Sequence, residues 1–277
     1  MLISIIIPTR NRYAYINLLI GDILQQDVSN YEIIVVDQSN TPKEIPNCKH
    51  IITDTLGPCV SRNIGTKEAK GEILVFLDDD ARIYPDFIRE ISSPIIKGRF
   101  DAVAGAMCDP HGNYPLIVDD FLKGKNENFI KILTNNPDAP ESRISISFPG
   151  CCAAILKSVF DEVGGFDESF DPTGAGEDRE MAVKLYKNGY STWYNAKAKL
   201  LHAVAPTGGT RDVGSRTFMI DIHSFRICQK YFSQELTKEL RYTILRKYKY
   251  NFFSSLSKFK RIRTKYKLYR EAKKQLN

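Results

Sequence analysis

The sequence has no paired-cysteine motif. Its six cysteines include no C-x-x-C pair and no zinc-ligand spacing, and Cys151 and Cys152 are adjacent. This pattern argues against zinc fingers and disulfide-rich secreted domains, and reduced thiols in a cytosolic protein are expected. A long apolar run is also missing at the start. Residues 1–7 are apolar but have no basic leader, and Pro8 ends them far short of the roughly 20 residues of a membrane helix, so neither a signal peptide nor a transmembrane span is predicted.

Acidic residues are scarce in the last part of the chain. Residues 233–277 hold 14 Lys and Arg against 3 Asp and Glu, a net charge of +11, whereas residues 1–232 hold 25 against 30, a net charge of −5. The overall charge of +6 therefore hides two electrostatically different regions. With 277 residues and 43% hydrophobic residues, the chain has enough length and apolar content for one large α/β domain with an appendage.

Strand and helix patterns alternate through the first 80 residues. Apolar strands are predicted at residues 2–7, 32–37, 50–53 and 73–77, with helices over residues 16–24 and 61–70. This alternation predicts an α/β fold with a mostly parallel sheet, in which ligands bind at the carboxyl ends of the strands. Residues 8–12, Asp37 and residues 78–80 all fall at those ends, which indicates a nucleotide site.

Three consecutive aspartates follow the apolar strand at residues 73–77. Adjacent carboxylates raise one another's pKa, so Asp78, Asp79 and Asp80 aimed into a cleft favour a divalent cation. The alternative is a solvated turn in which Asp79 or Asp80 caps the next helix. Three aspartates at the end of a central strand favour the metal.

The pattern changes after Asp80. Strands are predicted at residues 102–106, 191–194 and 199–202, and a helix from Glu177, whereas residues 109–135 have no assignment. The small residues within 150–156 would let another group approach the backbone closely. The glycine-rich residues 206–211 predict a mobile loop, and the pattern is helical beyond Thr217. We expect a domain over residues 1–215, with a nucleotide-binding half (1–107) and an acceptor half (108–215), followed by a basic helical region over residues 216–277.

Six short motifs in this order resemble family-2 glycosyltransferases of GT-A architecture, which have a Rossmann-like central sheet flanked by helices. The match covers roughly the first 205 residues. The motifs are the strand ending in Pro8-Thr9, Val36-Asp37, residues 57–65 with Arg62-Asn63, residues 76–80 as the acidic metal-binding motif, residues 164–167, and Gly176-Glu177-Asp178. The resemblance implies a metal-dependent, inverting transfer from a nucleoside diphosphate sugar, with UDP favoured, to a glycan or lipid-linked hydroxyl in surface polysaccharide synthesis.

The resemblance also implies roles for individual residues. Asp178 would be the catalytic base with Glu177 as neighbour or substitute, although a helix-capping role is the alternative for both and is preferred for Glu177. Asp80 would ligate Mn²⁺ or Mg²⁺, with His202 either completing the metal shell or being structural. Gly150, Cys151 and Cys152 would lie beside the acceptor as small packing residues. The nucleotide sugar would be bound by Pro8, Thr9, Arg10, Arg12, Asp37, Arg62, Asp78, Asp79 and Arg211. A solvated basic turn is the alternative for Arg12.

Other classes of protein fit less well. A dinucleotide dehydrogenase would have G-x-G-x-x-G after the first strand, where Arg10, Asn11 and Arg12 stand, and a sugar nucleotidyltransferase would have a glycine-rich, lysine-containing loop there. A non-catalytic binder of nucleotide sugars or anionic surfaces stays open. In the basic region, cations mixed with aromatics over residues 247–253 favour peripheral attachment to an anionic membrane at its cytoplasmic face over nucleic-acid binding. An ordinary solvated helix is the alternative.

Overall fold

The computed structural model describes residues 1–108, 140–210, 216–257 and 262–276. The chain divides into two compact units, residues 1–214 and residues 215–277. Residues 109–135, which have no assignment from the sequence, and Arg211 lie outside the described ranges. The strands are β1 (Ile3–Thr9), β2 (Tyr31–Asp37), β3 (Lys49–Ile52), β4 (Ile73–Leu77), β5 (Ala81–Ile83), β6 (Ala102–Cys108), β7 (Arg143–Ser145), β8 (Cys152–Leu156) and β9 (Thr192–His202). The helices are α1 (Tyr13–Leu24), α2 (Pro58–Lys67), α3 (Phe87–Ile96), α4 (Lys157–Glu162), α5 (Glu177–Lys187), α6 (Arg216–Tyr231), α7 (Gln234–Ser257) and α8 (Ile262–Gln275).

One sheet of nine strands forms the centre of the first unit. Its order is β3-β2-β1-β4-β8-β6-β9-β5, and β7 pairs with β9. The first four strands are parallel, as the alternation of strands and helices predicts. In the other half, β8 runs antiparallel to both β4 and β6. The α/β prediction is therefore confirmed, while the sheet as a whole is mixed, because β6 and β9 are parallel to each other but β8 between β4 and β6 is antiparallel to both.

Strand β4 is buried on both faces, as its unbroken apolar sequence predicts. Ile73, Val75 and Leu77 belong to the main core, which includes the inward faces of α1 and α3. Phe76 points the other way and contacts Phe166, with ring centroids 5.3 Å apart in an edge-on arrangement. Burying one such side chain contributes about 1.5–3 kcal/mol, so β4 fixes the position of the three aspartates that follow it.

Strand β9 differs from the prediction of two short strands. It is one strand that runs parallel to β6, with a shift in register between Gly105 and Ala106. That irregularity lets the pairing continue to the end of β9, where His202 lies opposite Ala81 of β5. Because Ala81 directly follows Asp80, the pairing brings His202 to the acidic end of β4.

Helix α2 begins three residues before its predicted start, with Pro58 in the first turn, a position that proline favours. Its N-terminal amides are satisfied from far along the chain, because the Asp171 carboxylate accepts hydrogen bonds from Cys59 N (3.1 Å) and Val60 N (2.9 Å). Gly57, with φ of +139°, leaves the space for this carboxylate, since a Cβ there would lie 2.0 Å from Asp171 Cγ. The cap holds α2 in the orientation that places Arg62.

The second unit consists of α6, α7 and α8, in agreement with the helical pattern of the sequence. Among the residues that the structure describes, its core includes Phe218, Ile222, Phe225, Ile244, Tyr248, Ala272 and Leu276. No helix within the described ranges combines the length and the apolar character that a membrane crossing would need.

Candidate active site

Asp79 is buried at the end of β4, with 3% of its surface exposed. Its Oδ2 accepts a hydrogen bond from Thr9 Oγ1 at 2.8 Å, and its Oδ1 lies 2.8 Å from Arg12 NH1. Burial raises the pKa of Asp79 to about 6, because it outweighs the charge and hydrogen bond of Arg12. Both oxygens are thus engaged within the protein, and the predicted contact of Asp79 with a sugar or ribose stays a prediction.

Asp80 has two oxygens in different surroundings. Its Oδ2 accepts a hydrogen bond from the Ala205 amide at 2.8 Å and lies 3.3 Å from Arg12 NH1. Its Oδ1 lies 3.1 Å from His202 Nε2. Burial alone would raise the pKa of Asp80, but the hydrogen bond and charge of His202, the Ala205 amide and Arg12 outweigh it and lower this pKa to about 2. The carboxylate is therefore held in its ionised form.

A candidate metal site combines Asp78, Asp80 and His202. Each offers one ligand atom, and the three atoms lie within 4.8 Å of one another. Two carboxylate oxygens and an imidazole nitrogen form a donor set suited to a divalent cation. His202, which the sequence left between a metal ligand and a structural residue, is thus placed beside the two aspartates by the β5–β9 pairing.

Arg62 joins the acidic end of β4 to the start of α5. Its NH2 lies 3.0 Å from Asp78 Oδ1 and its NH1 lies 3.1 Å from Glu177 Oε1, while its side chain is only 2% exposed. Burial lowers the pKa of an arginine, but the charges of Asp78 and Glu177 outweigh it here and raise the pKa of Arg62. The structure assigns this guanidinium to protein carboxylates, so its predicted contact with a nucleotide stays a prediction.

The predicted acceptor residues lie close to this bridge. Gly150 leaves room for Arg62, since a Cβ at Gly150 would lie 3.0 Å from Arg62 NH1. Burial first, and then the charges of Asp78 and of other groups that include Asp178, raise the pKa of Cys151. The Cys151 thiol lies 3.0 Å from Met107 Sδ. Cys152 is fully buried in the main core, and its predicted place as a packing residue beside the acceptor stays a prediction.

Asp178 is half-buried near the N-terminus of α5, and its Oδ1 accepts a hydrogen bond from the Arg179 amide at 2.8 Å. The N-cap residue of this helix is Gly176, with φ of +94°. Since a left-handed glycine forms the start of the helix, Asp178 is not its N-cap. Its role as the catalytic base stays a prediction.

The predicted nucleotide residues lie at the ends of β1 and β2. Pro8 and Thr9 are the last residues of β1, and Arg10 NH1 donates a hydrogen bond to Gly209 O at 3.1 Å. Asp37 is fully buried. Its oxygens accept hydrogen bonds from Tyr13 Oη (2.7 Å) and the Ser39 amide (2.8 Å), and His50 Nε2 lies 3.3 Å away.

Several of these partners cannot be found from the sequence. Tyr13 and His50 stand 24 and 13 residues from Asp37, and no motif marks them. Arg12 is not part of a solvated turn, because its side chain is 9% exposed and pairs with Asp79 and Asp80. The clustering of Asp, Arg and Gly in residues 8–12, 78–80 and 206–211 was the available signal, but it does not specify which groups pair.

Comparison with known proteins places the chain in a family. The family model "Glycosyl transferase family 2" matches residues 4–164. The chain is 27% identical over 218 residues to the O-antigen chain rhamnosyltransferase RfbN of Salmonella typhimurium, covering 73% of this chain and 67% of that protein. It is 23% identical over 214 residues to a GalNAc(5)-diNAcBac-PP-undecaprenol beta-1,3-glucosyltransferase of Campylobacter jejuni, covering 73% and 64%. An uncharacterized glycosyltransferase of Haemophilus influenzae is 33% identical over 151 residues, which are 48% of this chain and 60% of that protein.

Solved structures show the same fold. Staphylococcus aureus TarS superposes with a TM-score of 0.59 at 20% identity, covering 87% of this chain and 42% of that one. GalNAc-T7, solved with UDP, GalNAc and Mn²⁺, superposes with a TM-score of 0.62 at 17% identity, covering 82% and 48%. These structures confirm the predicted GT-A architecture. Because the matched residues 4–164 are more than half of the 277 residues, this chain belongs to glycosyltransferase family 2.

Proposed function

We propose that this glycosyltransferase moves a sugar, with inversion, from a nucleoside diphosphate sugar to a hydroxyl of a glycan or lipid-linked acceptor in surface polysaccharide synthesis. The observation that carries the proposal is the convergence of ligand atoms from Asp78, Asp80 and His202 within 4.8 Å. The named relatives act on O-antigen chains and on an undecaprenol-linked glycan, which supports the acceptor class. UDP is the favoured nucleotide, because the similar structures of TarS and GalNAc-T7 contain UDP.

The donor set fits a divalent cation and favours Mn²⁺ over Mg²⁺. Asp78 and Asp80 would supply carboxylate oxygens, and His202 would supply a nitrogen, a ligand more typical of transition metals than of Mg²⁺. Bound there, the ion would stabilise the negative charge that develops on the departing diphosphate. The low pKa of Asp80, about 2, keeps this ligand ionised throughout the physiological range.

Asp178 is the proposed base, and Arg62 positions the groups around it. The acceptor hydroxyl would give its proton to the Asp178 carboxylate while its oxygen forms a bond to the anomeric carbon of the donor sugar. The bond from that carbon to the nucleoside diphosphate breaks on the opposite face, which inverts the configuration. Arg62, which bridges Asp78 and Glu177, fixes the metal side of the cleft relative to the start of α5, where Asp178 stands.

A thermal-shift experiment tests the metal and nucleotide proposal. We expect UDP with Mn²⁺ to raise the melting temperature of the wild type, because a ligand at about 100 times its Kd stabilises the folded state by about 2.7 kcal/mol. Asp80→Asn removes the charge of one ligand, so the shift caused by Mn²⁺ should largely disappear. Asp86→Asn, on the surface, is the control and should keep the full shift. An equal shift in Asp80→Asn and the wild type would contradict the proposed metal site.

The second unit is proposed to attach the enzyme to the cytoplasmic face of a membrane. Lys238, Tyr242, Arg246, Lys249 and Phe253 follow one another in α7 at steps of three or four residues, so they share one face of the helix. All five are exposed, Tyr242 to 67% and Phe253 to 54%. We call this set the α7 stripe. Cations interleaved with exposed aromatics suit anionic head groups and the interface just below them.

Binding to liposomes tests the α7 stripe. Each cation near an anionic surface contributes about 1 kcal/mol, so Lys238→Glu/Lys249→Glu should weaken binding to phosphatidylserine-containing vesicles at least about tenfold. The control is Lys97→Glu/Arg99→Glu, which makes the same charge change at exposed positions of the first unit. Co-sedimentation at low salt measures both. Equal binding of the two double variants, or equal binding of the wild type to neutral vesicles, would contradict the proposal.

A further inference from the structure

Arg12 contacts two separate parts of the first unit at once. Its NH1 lies 2.8 Å from Asp79 Oδ1 and 3.3 Å from Asp80 Oδ2, at the acidic end of β4. Its Nε donates a hydrogen bond to Thr207 O at 2.8 Å, and its NH2 donates to Gly208 O at 3.1 Å. The guanidinium thus has carboxylates on one side and main-chain carbonyls on the other.

The carbonyls belong to a segment that directly follows His202. We call residues 203–209 the strap. Besides the contacts to Arg12, the Ala203 amide donates a hydrogen bond to Asp80 O at 2.9 Å, the Ala205 amide donates to Asp80 Oδ2 at 2.8 Å, and the Gly209 amide donates to Arg10 O at 3.0 Å. The strap is therefore attached to the acidic end of β4 and to the turn after β1.

Two glycines allow the strap to lie against Arg12. Gly208 and Gly209 have φ of +73° and +58°, a conformation that glycine adopts without strain. A Cβ on Gly208 would lie 2.9 Å from Arg12 Cγ, and one on Gly209 would lie 2.9 Å from Arg12 Cζ. The glycines that the sequence associates with a mobile loop here provide the close approach of main chain and guanidinium.

The planar fork of arginine is required for this arrangement. Arg12 uses three nitrogens in fixed directions, so it can hold the carboxylates and the carbonyls simultaneously. Burial lowers the pKa of Arg12, but the charges of Asp79 and Asp80 outweigh it, and the guanidinium stays charged. A lysine would bring one ammonium, which could balance the carboxylates but could not reproduce the fork.

We propose that Arg12 is a positioning residue that couples the acidic end of β4 to the strap. In the protein without a bound metal, Arg12 orders the strap through the contacts described above. The second part rests on the proposed function: since Asp80 and His202 would be metal ligands and the strap begins at the next residue, binding of a cation should change the order of the strap through Arg12.

Hydrogen exchange of the strap amides, measured without metal, tests whether Arg12 orders the strap. In Arg12→Met the amides of Ala203, Ala205 and Gly209 should exchange at least about tenfold faster than in the wild type. The variant loses the hydrogen bonds that the charged guanidinium donates to the strap carbonyls, and such bonds lower the equilibrium constant for local opening by more than about tenfold. Arg12→Lys should recover the melting temperature without recovering the slow exchange. Arg89→Met removes a surface partner of Asp27 and is the control, with wild-type exchange in the strap.

Wild-type exchange rates in the Arg12→Met strap, or full protection in Arg12→Lys, would overturn the proposed role of the fork. The same measurement with MnCl₂ tests the coupling. We expect Mn²⁺ to slow strap exchange in the wild type, and the ratio of rates with and without Mn²⁺ to fall towards one in Arg12→Met. An unchanged ratio would overturn the coupling. If Mn²⁺ fails to shift the melting temperature of the wild type, the proposed metal site fails, whereas the metal-free comparison still decides the role of Arg12.

Discussion

Replacing Asp178 by asparagine is expected to lower kcat by about 10²–10⁴-fold, the usual contribution of a positioned general base. An amide at this position cannot take the proton of the acceptor hydroxyl. The asparagine carbonyl can still accept the hydrogen bond that the Arg179 amide now donates to Asp178 Oδ1, so folding should be preserved. Because Asp178 is not one of the proposed metal ligands, the KM for the donor should change less than about threefold.

The measurement is release of nucleoside diphosphate, made with the donor and acceptor pair that the wild type turns over fastest. Asp86→Asn makes the same chemical change on the surface and should retain wild-type kcat. An Asp178→Asn variant with wild-type kcat would remove Asp178 as the base. A raised donor KM with an unchanged kcat would assign this carboxylate to binding rather than to proton transfer.

The frame of the active site could be predicted from the sequence because it depends on local patterns. Five consecutive apolar residues predict β4 as a strand buried on both faces, and residues 73–77 form that strand with all five side chains buried. The three aspartates then have to stand at its carboxyl end. The position of α5 after Gly176 follows in the same way from helical spacing and a glycine at its start.

The pairing of charged groups could not be predicted, since it depends on tertiary contacts. Asp78, Asp79 and Asp80 are neighbours in sequence, yet Asp78 pairs with Arg62, whereas Asp79 and Asp80 both lie close to Arg12. The placement of His202 depends on the register shift in the pairing of β6 with β9, which no periodicity reveals. The two short strands predicted at residues 191–194 and 199–202 form one strand, because the pairing with β6 continues across the register shift.

The burial of Arg12 could not be predicted from the sequence. In sequence it belongs to a turn rich in arginine and asparagine, which is compatible with solvent. In the structure its side chain is 9% exposed, because the strap covers it and supplies two carbonyls. The cover comes from residues almost two hundred positions away, and only the fold brings them together.

Removing Arg62 should produce a large loss of stability in the first unit. Glu177 has a side chain that is 7% exposed and faces Arg62, so Arg62→Met leaves a buried carboxylate without this charge partner. Breaking a buried ion pair from one side costs about 3–5 kcal/mol in the free energy of unfolding. Arg82→Met, which breaks an exposed pair with Asp22, is the matched control and should cost at most about 1 kcal/mol.

The single tryptophan makes this loss measurable for the first unit alone. Trp193 lies in β9, so its fluorescence during urea denaturation reports on the unfolding of the sheet and not of the helical second unit. Glu177→Gln removes the charge that Arg62 balances on the α5 side. The double variant Arg62→Met/Glu177→Gln should therefore lose less free energy of unfolding than the sum of the losses of the two single variants, by at least about 1 kcal/mol. Strictly additive losses, or an Arg62→Met variant within about 0.5 kcal/mol of the wild type, would show that the bridge between Asp78 and Glu177 does not hold the two sides of the cleft together.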